Sequence, residues 1–301
     1  MISRMICIRK YQECRFEIYW NKNLFKEITS YTGWNLFGAS VGIFKNQIIN
    51  ILLNQFFNPG VVAARAIASS INNAVASFSI NFGVAIRPQI VKSYAAGQRE
   101  EMLRTVFYGA KGTYFLMFFF TLPIIIEMPG VLSLWLKTPP ENVVLFARLI
   151  LLDALIDSVN NPIMAAAQAT GKIKLYQSSV GGILLLNLPV SWIALLLGAP
   201  VYSVFLVSIF FTFVASIIRL FMLRRLIDFS ILEFFAKVLI PVASVSLVAI
   251  ILPLIVFRLS SFNIYRLLIT VLLCSASIIG CIFLFGLTSQ EKQFLKSVIK
   301  K

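Results

Sequence analysis

The feature that most constrains this chain is a succession of apolar stretches, each long enough to cross a lipid bilayer as one helix. Crossing the hydrocarbon core takes about 20 helical residues. Apolar residues make up 59% of the 301 residues and charged residues only 13%, so a soluble domain would have too little polar surface to face water. The sequence therefore predicts an all-α integral membrane protein and excludes a soluble enzyme, a disordered chain and a disulfide-rich secreted module. We expect eight transmembrane helices, at about 32–57, 61–91, 105–126, 141–167, 174–197, 200–223, 237–257 and 265–286.

The distribution of basic residues predicts the orientation in the membrane. Lys and Arg total 27 against 12 acidic residues, a formal charge of +15. In a soluble protein this excess would suggest nucleic acid, but cytoplasmic loops of membrane proteins are enriched in Lys and Arg. Eighteen basic residues lie in the termini and loops on one side, whereas the other side has only Lys137, Arg258 and Arg266. We expect both termini in the cytoplasm and no nucleic-acid partner.

Residues that carry catalytic or metal chemistry are scarce. The chain has no histidine, and Cys7, Cys14, Cys274 and Cys281 have no CxxC spacing, so neither a metal site nor a redox motif is expected. No phosphate-binding glycine loop, GxSxG or HExxH motif is present. The N-terminus lacks a signal-peptide core, and residues 12–30 have the pattern of an amphipathic segment on the membrane surface. We predict a protein that is not an enzyme and has no cofactor, with a coupling ion left open.

Polar residues within the spans are the candidates for function. Lys45 lies in the middle of the first span and precedes Asn46, while Asp153 and Asp157 share one face of the fourth span with Asn161 one turn further. A charge at that depth needs a counter-ion, protein or water. Two interpretations stay open: an ion pair between Lys45 and an aspartate that only fixes the bundle, or a polar cavity that binds an ion or an anionic substrate.

Other charged and polar positions lead to weaker expectations. Four basic residues lie near span ends, and we expect their side chains to snorkel to the interface: Arg65, Arg87, Lys111 and Arg219. The second span is rich in Ser and Asn, which is tolerable only inside a bundle or beside a wet cavity. Prolines at 88, 123, 162 and 189 free helix carbonyls, and a kink at Pro162 would open the backbone beside polar side chains.

Five long stretches are similar to one family. The chain resembles the polysaccharide-transporter branch of the MATE-like flippase superfamily, and lipopolysaccharide (O-antigen) flippases in particular, at 34–38 (WNLFG), 50–57 (NILLNQFF), 61–68 (VVAARAIA), 87–97 (RPQIVKSYAAG) and 165–177 (AAAQATGKIKLYQ). The resemblance implies translocation of an undecaprenyl-pyrophosphate-linked oligosaccharide across the bacterial inner membrane. It also implies a cavity in which Lys45, Arg65 and Arg87 attract the pyrophosphate, while Asp153 and Asp157 couple to an ion or shape the sugar site.

The resemblance also implies a domain organisation. Family members have two six-helix lobes around a polar cavity, often with two further helices. We expect a linker and amphipathic segment at 1–31, the second lobe at 32–228, two additional helices at 229–287 and a basic cytoplasmic tail at 288–301. The first lobe has no counterpart in this sequence, so we expect a truncated C-terminal portion. The alternative is that a second copy or a separate first lobe completes the cavity.

Three rival functions are weighed against the flippase. A cation-coupled multidrug exporter of the same superfamily would prefer an acidic cavity, whereas the charged residues left in the membrane after the loops and span ends are counted are six basic and two acidic. A membrane-embedded enzyme of glycan assembly would need a large periplasmic loop or catalytic residues that this sequence lacks. An inactive gene fragment is the third. Besides the lipid-linked substrate, membrane lipids are the expected partners.

Overall fold

The computed structural model describes residues 20–259, 264–288 and 291–292, and in these ranges every regular element is a helix. The apolar sequence selects this outcome, because a helix satisfies its backbone hydrogen bonds internally, as lipid requires. The helices are α1 (Lys22–Phe56), α2 (Pro59–Ala95), α3 (Arg99–Ile126), α4 (Met128–Trp135), α5 (Val143–Ser158), α6 (Asn160–Ala169), α7 (Ile173–Leu185), α8 (Asn187–Leu196), α9 (Ser203–Ile227), α10 (Ile231–Phe234), α11 (Ile240–Leu259) and α12 (Ile264–Cys281). Two π-helical segments complete them, at Phe235–Leu239 and Ile282–Gly286.

Within the described ranges, seven helical segments are long and apolar enough to cross a membrane. They are Lys22–Phe56, Pro59–Ala95, Arg99–Ile126, Ile173–Leu196, Ser203–Ile227, Ile231–Phe257 and Tyr265–Gly286. The all-α membrane fold is thus confirmed. The predicted span at 141–167 differs: it consists of α5, with 16 residues, and α6, with 10 residues, which are separated at Val159.

Prolines account for the interruptions at Val159 and at Leu186, each of which separates two successive helices. Pro162 cannot donate to the carbonyl of Ser158, where α5 ends, and Pro189 cannot donate to that of Leu185, where α7 ends. The next helix starts two residues after each of these carbonyls. The expected opening of the backbone near Pro162 is therefore confirmed. Pro88 and Pro123, in contrast, lie inside uninterrupted helices.

Helix α3 is the centre of the bundle. Two thirds of the apolar stretch of this helix is buried inside the protein. The buried side chains include Phe115, Met117, Phe118 and Leu122. Helix α2 packs along both α3 and α5, α1 packs against α7, and α9 packs against α5 and α7. Helices α11 and α12 form a pair that packs against α3.

Two buried ion pairs fasten α12 and the residues after it to this centre. Immediately after α3, Glu127 accepts hydrogen bonds from Arg266 at 3.0 and 2.8 Å and from Thr270 at 2.9 Å. Lys111 of α3 is 4% exposed and pairs with Glu291, which follows the second π-helical segment. The expectation that Lys111 snorkels is therefore wrong, because an acidic residue distant in sequence neutralises it within the protein.

The structure describes two of the four cysteines and part of the expected N-terminal amphipathic segment. Cys274 and Cys281 are buried free thiols, which agrees with their interpretation as structural residues. Cys7 and Cys14 lie outside the described residues, as do residues 12–19 of the expected amphipathic segment. The remaining residues of that segment include the exposed start of α1.

Candidate functional site

A polar cavity of about 280 Å³ lies between α1, α2, α5 and α9. Each of these helices contributes at least one polar side chain. The lining residues are Lys45, Asn46, Ile49, Asn50, Arg65, Ser69, Asn72, Asn73, Leu149, Ile150, Asp153, Phe205 and Ser208. The cavity therefore brings together four residues predicted as a site: Lys45, Asn46, Arg65 and Asp153.

An ion pair joins two helices across the cavity. Lys45 Nζ lies 3.2 Å from Asp153 Oδ2 and donates to Thr212 Oγ1 at 3.1 Å. Ser208 also donates to Asp153 Oδ2, at 3.0 Å. The second carboxylate oxygen, Asp153 Oδ1, is buried without a hydrogen-bond partner. The pair required by one interpretation is thus present, and it lies in the wall of the cavity required by the other.

Arg65 gives the cavity a second cation. Its side chain reaches Asn50, to which Nη1 donates, and its Nε is buried without a partner. Among the described residues no carboxylate pairs with Arg65. At 5% exposure it does not snorkel, so that expectation is wrong: the side chain turns into the bundle instead of towards the interface. The cavity wall thus holds two cations and one carboxylate.

The polar face of α2 also contributes to this wall. Ser69, Asn72 and Asn73 follow Arg65 by four, seven and eight positions, so they share its side of the helix. The Ser and Asn content of the second span predicted a place inside a bundle or beside a wet cavity, and three of these side chains line the polar cavity.

A second polar cluster lies outside the lining of this cavity. Arg219 of α9 pairs with Asp157 at 2.6 Å, and Asn160 donates to Asp157 at 3.2 Å and to Ser216 at 2.8 Å. Arg219 is 9% exposed, so it does not snorkel as expected.

Asn161 was expected to share one face with the two aspartates. In this cluster Asn160 contacts Asp157 instead. The helix is interrupted at Val159, so the four-residue spacing no longer holds. Asn161 is half-buried and lies near Gly83 instead.

Arg87 is not a cavity residue in this structure. It follows Arg65 by 22 residues on the same helix, which is roughly 33 Å along the axis. Its side chain is exposed and donates to Gln168 Oε1 at 2.6 Å. Arg87 is therefore the one member of the expected snorkelling group whose exposure fits that expectation.

Comparison with known families now decides the kind of protein. The model of the MatE family matches residues 27–193, more than half of the chain. The chain belongs to the MatE family. Its members are transporters rather than enzymes, so this is a multi-pass membrane protein of the transporter class. No curated protein and no solved structure matches the chain.

The MatE match covers most of the cavity but not all of it. Lys45, Arg65 and Asp153 lie inside the matched range, whereas Ser208 and Thr212 of α9 lie beyond it. In the described part of this MatE protein no group of three His, Cys, Asp or Glu side chains is placed to hold a metal ion. What the cavity offers is a set of cationic and amide donors with a single acidic group.

Sequence reasoning missed three residues of this arrangement: Asn50, Ser208 and Thr212. A signal for two of them was present. In α9, Ser208, Thr212, Ser216 and Arg219 recur every three or four residues, which places them on one face. That stripe was hidden because the span containing it is otherwise strongly apolar.

Proposed function

We propose that this MatE protein translocates a lipid-linked oligosaccharide, joined to its polyprenyl carrier by pyrophosphate, across the bacterial inner membrane. The observation that carries the proposal is the excess of positive charge in the cavity wall. Arg65 has no carboxylate partner among the described residues, and the single carboxylate in the wall is shared with Lys45.

The physical argument rests on the cost of a buried cation. An arginine at membrane depth is expensive unless a counter-charge or water solvates it. A low-dielectric cleft also strengthens its attraction for an anion. A pyrophosphate would supply the missing counter-charge to Arg65 and compete with Asp153 for Lys45, so binding would loosen the contact between α1 and α5.

Cavity size is compatible with this assignment. A volume of about 280 Å³ is at the lower limit for a small-molecule site. It suits a pyrophosphate group but is too small for an oligosaccharide. We therefore assign the pyrophosphate to this cavity and the sugars to space outside it.

The proposal includes a covering partner for α1 and α2. On the sides of these helices that border the cavity, Asn46, Asn73, Ser77 and Asn81 are exposed. Such side chains at membrane depth are costly against lipid. A second helical lobe, from a longer chain, a second copy or a separate protein, would cover them and close the cavity.

A cation-coupled multidrug exporter is the second candidate. Asp153 Oδ1 favours it, because a buried carboxylate oxygen without a partner is a natural acceptor for a cation or a proton. The MatE family match is equally compatible with this function.

Ligand binding by the purified full chain separates the candidates. The probes are a short-chain prenyl pyrophosphate and a cationic aromatic dye, titrated by calorimetry in detergent. We expect the pyrophosphate to bind and Arg65→Gln to weaken it about tenfold or more, the value of a lost charge-assisted hydrogen bond. Arg225→Gln, an exposed arginine outside the cavity, is the matched control and is expected to bind normally.

Other outcomes have defined meanings. Dye binding that Asp153→Asn abolishes, without pyrophosphate binding, would establish the exporter instead. In cells, Lys45→Ala in an intact transporter of this type should abolish export of the lipid-linked glycan. Normal surface glycan at an unchanged protein level would contradict the flippase.

A further inference from the structure

A second and larger cavity, of about 720 Å³, lies away from the first and shares no lining residue with it. Its wall combines the start of α3, the segment after α9 and the residues after the second π-helical segment. The side chains that matter for its chemistry are Arg99, Leu103, Arg104, Phe107, Tyr108 and Lys237.

The position of this cavity along the bundle is set by helix ends. Helix α3 begins here, at Arg99, and α9 ends here, at Ile227. The second π-helical segment also ends here, at Gly286. Charged side chains cluster at such ends because the spans leave the hydrocarbon core there. The cavity therefore lies at the level of the lipid headgroups, on the side with the basic excess.

Most of the charges in the wall neutralise one another. Asp228 pairs with Arg99 at 3.5 Å, Glu291 pairs with Lys111, and Glu233 pairs with Lys237. The fourth carboxylate, Glu100, lies in the first turn of α3, where the positive end of the helix dipole stabilises it.

Arg104 is the cation in this wall that no carboxylate of the described residues neutralises. Its Nε donates to Tyr108 Oη at 2.8 Å, and the guanidinium lies 5.3 Å from the centre of the same ring. This contact holds the side chain at the cavity while its two terminal nitrogens stay free to donate. Two parallel donors from arginine match the oxygens of a phosphate.

An apolar surface adjoins this cation. Half-buried Leu103 lines the same cavity, whereas Phe107 contributes little surface because it is 6% exposed and is fixed edge-on against Phe229. Lys237, over the ring of Phe107 at 5.9 Å, belongs to the first π-helical segment. Single π-helical turns occur frequently at functional sites. Such a wall offers a phosphate donor beside a surface for hydrocarbon.

We propose that this cavity binds one anionic phospholipid, with its phosphate at Arg104 and an acyl chain against Leu103. The wall holds four cations and four carboxylates, so the charge offered to a headgroup at this surface is that of Arg104, the cation without an ion pair among the described residues. The bound lipid is a resident of the protein rather than its transported substrate, so the inference stands apart from the proposed function. A phospholipid here would link α3, the α9–α10 connection and the α11–α12 pair.

Native mass spectrometry of the delipidated full chain tests the proposal. The probes are phosphatidylglycerol, phosphatidylcholine and inorganic phosphate, each titrated separately. We expect one phosphatidylglycerol to bind more tightly than any further copies, with Arg104→Gln weakening that first site about tenfold. Arg225→Gln, an exposed arginine near the end of α9, is the control and should retain the site.

Several results would overturn the assignment. If the parent protein and the Arg104→Gln variant bind phosphatidylglycerol with equal affinity, Arg104 does not bind the phosphate. Equal loss in both variants would show unspecific attraction to surface charge. Equal binding of phosphatidylcholine would exclude selection for an anionic lipid, and displacement of the lipid by millimolar inorganic phosphate would make this a soluble-anion site.

Discussion

At the scale of residues, Lys45 and Asp153 stabilise each other in surroundings where either charge alone would be costly. Their side chains are 16% and 21% exposed, and their nearest charged atoms lie 3.2 Å apart. A partly buried pair contributes little beyond its own desolvation cost, yet removal of one partner leaves a charge without compensation. The pair therefore constrains which substitutions the bundle tolerates.

The first prediction concerns this asymmetry. Lys45→Met should destabilise the protein by about 3–5 kcal/mol, because Asp153 keeps only its bond from Ser208. The double variant Lys45→Met/Asp153→Leu should recover most of that loss, since both buried charges are then absent. Unfolding by a denaturing detergent, followed by circular dichroism, measures both free energies. A double variant no more stable than the single variant would contradict the prediction.

Sequence reasoning reached the need for this pair but not its geometry. A lysine in the middle of a span needs a counter-ion, protein or water, and pairing with an aspartate was one of the two interpretations left open. Which aspartate it is depends on how α1 and α5 lie against each other, and that packing is not local in sequence. The same limit explains the wrong snorkelling predictions: distance from a span end does not tell whether the side chain of Arg65 or Arg219 turns inward.

At the scale of elements, close contact between α3 and α6 depends on Gly109. A Cβ at this position would lie 2.9 Å from Cγ of Pro162, a rigid ring that cannot swing away. Pro162 is also the residue that ends α5 at Ser158 and forces α6 to start again. One proline thus interrupts a helix and fits its ring into the space that a glycine on the facing helix leaves.

The second prediction follows from that contact. Gly109→Ala should destabilise the protein by up to about 2 kcal/mol, since overpacking costs about 1–3 kcal/mol and alanine gains about 1 kcal/mol in helix propensity. Gly83→Ala on the adjacent α2 is the control: its new Cβ would be 3.6 Å from Asn161 Cβ, an ordinary contact. It should be neutral or slightly stabilising, and the same detergent unfolding assay compares the two. Equal effects would show that Pro162 is not the cause.

Apolar length predicted seven membrane-spanning elements in their approximate positions, because about 20 apolar residues have few other ways to fold. The exception at 141–167 was predicted as one span although Pro162 and the polar residues around it had been noted. Hydrophobicity alone does not decide whether a freed carbonyl at Ser158 merely bends a helix or ends it. That outcome depends on neighbours such as Gly109, which only the packed bundle brings close.

At the scale of the whole molecule, the two cavities belong to different structural units. The first lies among α1, α2, α5 and α9, within the bundle that includes the MatE match. The second lies where α3 meets the start of the α11–α12 pair and the residues that follow it. Two buried ion pairs, Glu127–Arg266 and Lys111–Glu291, hold α12 and the residues after it against α3 and the residue that follows α3.

The third prediction is the orientation of this bundle. The loop after α4 contains Lys137, and the last turn of α9 contains Arg225; both side chains are exposed. From the basic excess we expect Arg225 in the cytoplasm and Lys137 outside. In a background without other cysteines, Lys137→Cys in intact cells should react with a membrane-impermeant maleimide, whereas Arg225→Cys should react only after the membrane is opened. The reverse labelling pattern would invert the proposed topology and would place the phospholipid cavity at the outer leaflet, where the argument from cytoplasmic headgroups no longer applies.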